Sequence, residues 1–171
     1  MRNLASVLAL VTAGCGIANF DVGQPVPEQM VSGSGIPGPL AALFPIPVSL
    51  DIGEKIKQQD TGPINSISIT SLELTITATD VTAGDTDDWS FLTQCDVFVS
   101  STASGSTLPK VKIATIGAPG AVQTATFTVD ETVNLKDYVN EGSMTDSMCS
   151  GTAPADAVSY AGSANFSIHP L

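Results

Sequence analysis

Arginine is all but missing from this 171-residue chain, which carries it only as Arg2. Histidine is reduced to His169, aromatic residues make up 5% of the chain, and the lysines are Lys55, Lys57, Lys110, Lys112 and Lys136. Each shortage excludes something. A body without guanidinium groups lacks the side chain best suited to gripping phosphate or carboxylate with two parallel hydrogen bonds. With a net charge of −11 it has no means of neutralising a phosphate backbone, so nucleic acid is not an expected partner. A single histidine rules out a paired-histidine metal motif, and no Gly-x-Ser-x-Gly elbow occurs. The acidic residues fall mostly in turn-like stretches and read as solvated charge, not as the paired acids of glycoside hydrolysis. The chain is therefore not expected to be an enzyme. Beyond the first fifteen residues there is also no apolar run near the roughly 20 residues that a spanning helix needs.

What the chain does have begins at its first residues. Arg2 precedes an apolar run from Leu4 to Ala13, and the small residues Ala13 and Gly14 lead into Cys15. A charged start, a short apolar stretch and a small-residue cleavage site are the parts of an export signal. The series Val11-Thr12-Ala13-Gly14-Cys15 resembles the lipobox of bacterial lipoproteins, with Thr12 standing where that pattern usually has an aliphatic residue. The resemblance implies a signal over 1–14 and a lipidated Cys15 as first residue of the mature chain. Acyl chains on one residue hold firmly to a bilayer once two or more are present. Gly16 follows the Cys and, by the family's sorting pattern, favours the outer membrane. The alternative is ordinary secretory cleavage after Ala18, where Gly16-Ile17-Ala18 supplies a small-x-small site and Cys15 leaves with the signal.

Residues 15–47 read as a tether. Pro25, Pro27, Pro37, Pro39, Pro45 and Pro47 lie here together with Gly33, Gly35 and Gly38, and such a stretch is expected to be extended or irregular. Its end, Pro39 to Val48, is too apolar for a pure linker; it is expected either to lie across the folded body or to meet lipid or a partner. From Val48 to the end the chain reads as one β-domain, and its length suffices for a conventional core. Ile67 and Ile69 alternate with polar residues, then Leu72, Leu74 and Ile76 alternate with the opposite parity. Period two predicts a strand over 64–79, and the parity change at Thr70-Ser71 predicts a bulge or a change of face. Further strands are expected over 47–52, 95–101, 111–116, 122–129 and 157–168, with short helical turns at 54–59 and 135–140. About seven strands separated by Gly, Ser and Asp clusters predict an all-β fold, an antiparallel β-sandwich of immunoglobulin-like or related type.

Cys95 and Cys149 remain in the body. Outside the cytoplasm an even pair suggests a disulfide; the alternative is a buried Cys95 and a free Cys149 in a polar loop. Asp80, Asp85, Asp87 and Asp88 surround Gly84 in one loop and are candidate ligands for Ca²⁺, which takes hard oxygens, although their spacing is not that of an EF-hand. A solvated turn explains the same residues, and no other cofactor is implied. Trp89 beside them is either a stacking surface for a sugar ring or a cap on the core. Met144 and Met148 suit one face of a helical turn that packs.

The reading that follows is a lipid-anchored β-sandwich of the bacterial cell envelope. It is attached to the membrane through Cys15 and acts as a structural or protein-interaction module with an envelope partner. A module binding lipid, glycan or calcium is the alternative.

Overall fold

A computed structural model describes residues 18–33, 45–78 and 86–171. Cys15 with its signal-like context, residues 39–44 of the apolar stretch, and Asp80 and Asp85 lie outside the described residues. The elements run β1 (Phe20–Val31), α1 (Gly53–Lys57), β2 (Ile64–Thr77), a 3₁₀ turn (Trp89–Phe91), β3 (Leu92–Ser101) and β4 (Val111–Ile116). They continue through β5 (Thr124–Thr126), β6 (Thr128–Val129), α2 (Lys136–Glu141), β7 (Ser143–Gly151) and β8 (Val158–Pro170). Two antiparallel four-stranded sheets, ordered β1-β8-β2-β5 and β6-β4-β3-β7, pack their apolar faces together. This is the all-β sandwich that the alternation predicts.

β2 shows how the pattern makes the core. Ile69 pairs with Phe166 and Ser71 with Asn165, so Thr70 is the extra residue of a bulge, and its hydroxyl donates to the Asn165 carbonyl at 3.2 Å. The extra residue turns the second half of the strand by one side-chain position. Ile67, Ile69, Leu72 and Leu74 are consequently all buried on one face. Opposite them lie Val97 and Val99 of β3 and Ile113 of β4, each fully buried.

The stretch expected as one strand over 122–129 is divided. Residues 124–126 pair with β2, the Phe127 amide donates to the Leu72 carbonyl at 2.9 Å, and residues 128–129 pair with β4. The chain changes sheets at the buried Phe127, as strands do at the corners of a sandwich.

β1 lies inside the region whose composition reads as a tether. It tolerates Pro25 and Pro27 because it is the edge strand of its sheet, bonded to β8 alone, where a missing donor is harmless if it faces outward. The register slips between Val26 and Gln29, so the prolines coincide with an irregularity in the ladder.

Residues 47–52 form no strand. Here Val48 N–H bonds the Ile46 carbonyl at 2.9 Å and Ile52 N–H bonds the Leu50 carbonyl at 2.8 Å. These two-residue closures are γ-turns, yet the alternation survives: Ile46, Val48, Leu50 and Ile52 are all buried. The described end of the apolar stretch is therefore core. Lys55 of α1 clips this segment to β1, donating to the Gly23 carbonyl at 2.7 Å and to Gln24 Oε1 at 2.9 Å. At α2, Asn134 Oδ1 accepts the amides of Ile67 and Lys136, and the helix ends at Gly142 with φ 81°, a left-handed position that suits glycine. No described helix is long and apolar enough to cross a membrane.

Candidate functional site

Cys95 and Cys149 are bonded to each other. They face one another across the β3–β7 ladder, and both are buried, so the pairing expected from their number is present. β7 is not expected from the sequence, because 142–154 is rich in Gly, Ser, Thr and Asp and has the composition of a loop. Only Cys149 among its nine residues is buried, and its strand character comes from pairing with β3 rather than from its own alternation. Met144 and Met148 consequently sit on a strand. They do not pack: they are 53% and 61% exposed.

Trp89 is completely buried. Its indole N–H donates to the Gln123 carbonyl at 3.1 Å, and its ring lies 5.6 Å from those of Phe91 and Tyr160. A ring so enclosed offers no face to a sugar; it caps the core and joins the 3₁₀ turn to β8 of the other sheet. Asp88 accepts the Ser90 amide at 2.9 Å, an N-cap bond, and the bonds from Ser90 hold its carboxyl below the usual range. The Asp87 carbonyl accepts from Gln123 Nε2. Asp88 is thus occupied as a helix cap, and among the described residues no three His, Cys, Asp or Glu side chains gather as a metal site would require. His169 pairs with Ser66 near the end of the β2–β8 ladder.

An open cleft of about 290 Å³ lies where the 49–53 segment meets α2 and the ends of β3 and β7; Asp51, Thr102 and Ser143 supply polar groups to it. The richer surface is the outer face of the β6-β4-β3-β7 sheet. Alternation sends Asp96 and Phe98 of β3 outward beside Met148 and Asp146 of β7, with Lys112 and Thr115 of β4 on the other side. Lys110 Nζ bonds Asp146 at 2.6 Å and lies 4.9 Å from the centre of the Phe98 ring, within cation–π range. Lys112 Nζ stands 3.6 Å from Asp96, which also accepts the Thr115 hydroxyl. Two of the five lysines therefore meet two carboxylates around one aromatic ring, flanked by exposed methionines. Sequence reasoning missed this face because β7 was not recognised as a strand: its residues carry no apolar alternation, and only one of them is buried.

No family model and no curated protein matches the chain. Among solved structures it is similar to one titled "Turnip yellow mosaic virus", at 16% identity and a TM-score of 0.29, covering 99% of this chain and 92% of that one. Another, titled "Desmodium yellow mottle tymovirus", stands at 13% identity and a TM-score of 0.22, covering 100% and 93%. Likenesses this distant carry no argument about function.

Proposed function

We propose that this chain is a lipid-anchored β-sandwich of the bacterial cell envelope, tethered through Cys15 at the outer membrane and acting as a non-enzymatic structural or protein-interaction module. The observation that carries the anchor is the residue series itself: Arg2, the apolar run to Ala13, and Ala13-Gly14 directly before Cys15. The disulfide between Cys95 and Cys149 supports an oxidising compartment, because such bonds persist outside the cytoplasm. The interaction role is supported by the outer face of the β6-β4-β3-β7 sheet, where large apolar side chains stand in solvent beside charged groups.

Metabolic labelling with a fatty acid tests the anchor. The native chain is expected to take up label and fractionate with outer membranes, and Cys15→Ala to do neither. Equal labelling of the two would remove the anchor and the localisation that depends on it. The interaction role is tested by chemical crosslinking in intact membranes, which is expected to trap a reproducible protein partner.

A further inference from the structure

We propose that the partner of this sheet face is a second copy of the chain, docked across a twofold axis through the outer side chains of β3 and β7. The proposal rests on the interaction-module reading above but is independent of the anchor. Three observations carry it.

The first is charge. Two bodies of this composition, each at −11, repel in most orientations. On this face Lys110 is paired with Asp146 and Lys112 with Asp96, so four charges cancel on a chain that is acidic as a whole. The second is symmetry. A twofold contact requires a patch complementary to itself, and a patch holding two cations and two carboxylates can set each lysine beside a carboxylate of the other copy. The third is apolar content. Met144 and Met148 are 53% and 61% exposed on either side of Asp146. Methionine is flexible and polarisable and is over-represented at surfaces that pack against a partner.

The size of the face sets the strength. Three strands of up to nine or ten residues span a rectangle of about 30 Å by 15 Å. With side-chain relief, two copies would remove about 1,000 Å² from water, which is the size of a weak, reversible interface rather than an obligate one. Mutual repulsion outside the patch adds a signature: salt screens it, so this dimer tightens as ionic strength rises, opposite to a contact held by attraction between net charges.

The test is sedimentation equilibrium of the full chain in density-matched detergent micelles, with micelles in large excess so that anchors are not forced together. A monomer–dimer equilibrium is expected that strengthens with salt and weakens about tenfold or more in Met148→Glu and in Met144→Glu. Met30→Glu is the control, because Met30 is 57% exposed but lies on β1 of the other sheet; it is expected to leave the equilibrium unchanged. A monomer throughout the concentration range, or a dimer indifferent to both β7 variants, overturns the proposal. If the chain is monomeric but crosslinks to a different envelope protein in membranes, self-association fails and the interaction-module reading stands. If neither a dimer nor a crosslinked partner is found, both fail.

Discussion

In the β1-β8-β2-β5 sheet one strand supplies most of the cohesion. β8 runs thirteen residues and is bonded on both sides, to β1 and to β2. Its Gly162 lies so close to β2 that an added Cβ would stand 2.0 Å from the Glu73 carbonyl oxygen. In the β6-β4-β3-β7 sheet β3 is likewise bonded on both sides, but the strands at its edges bring little burial of their own. β6 has two residues, and β7 contributes a single buried residue, Cys149. That strand is held instead by its ladder to β3, by the covalent bond from Cys95, and by the Thr145 hydroxyl, which donates to the Val48 carbonyl at 3.0 Å. Where a strand buries many side chains, packing fixes it; where it buries few, a crosslink and side-chain hydrogen bonds do so. The less buried strand then has its outer face available for other contacts.

The largest expected effect comes from cutting the link between the two sheets. Trp89→Ala removes a fully buried ring that touches Tyr160 across the core and is expected to cost up to about 5 kcal/mol, read as a lowered urea midpoint. Both sheets should loosen together; protection from hydrogen exchange that fell in one sheet alone would contradict the joint core. Replacing Cys95 and Cys149 together by Ala comes next. Opening a loop of 54 residues costs about 4 kcal/mol of loop-closure entropy. Amide exchange should rise first in β7 and leave β8 protected, which separates the two modes of cohesion directly.

Tyr160 gives a smaller effect with a pH signature. Its hydroxyl donates to the Pro45 carbonyl, and burial pushes its phenol well above the ordinary value. The folded chain keeps this proton, while the unfolded chain releases it above about pH 10. The contribution to stability is therefore fully present below pH 10 and is lost as pH rises beyond it. Burial raises Tyr138 in the same sense. Tyr160→Phe should cost about 1 kcal/mol at neutral pH and flatten, without abolishing, the alkaline decline in the urea midpoint. Smallest of all is Lys110→Ala. The amine and its partner Asp146 are both partly exposed, so stability should change by less than about 1 kcal/mol. The same variant leaves Asp146 unpaired and is expected to weaken self-association, so the thermal melt and the sedimentation profile should respond unequally.

Much of this architecture is legible in the chain. The alternation from Ile64 to Ile76, with its parity change, located β2 and its bulge, because a half-buried strand must repeat every two residues. The strand at 111–116 and the helical turns ahead of Gly62 and Gly142 followed from equally local rules. The losses have a common cause. β1 was hidden by Pro25 and Pro27, which forbid a central strand but not an edge. β7 was hidden because Ser, Thr, Asp and Met carry no strong alternation and its conformation is imposed by β3. Whether a strand lies at an edge is a property of the assembled sheet, not of its own residues. The outer face escaped notice for the same reason: it exists only once β7 is laid beside β3. Trp89 reads from sequence as either a stacking surface or a core cap, and what decides it is distant in the chain: the Gln123 carbonyl, thirty-four residues away, and the Tyr160 ring of the other sheet.

The bond between Cys95 and Cys149 also has a mechanical meaning. The ring it closes contains β4, β5, β6 and α2, and β5 belongs to the opposite sheet, so the ring passes around the edge of the sandwich as a belt. A chain pulled from an anchored end and a distant load would lengthen only until that belt drew tight. With the bond intact, roughly 180 Å of contour, 54 residues at about 3.4 Å each, stays out of reach of the force. A chain stretched in this way would therefore keep β4, β5, β6 and α2 tied together in one closed loop after the segments outside the bond had been drawn out.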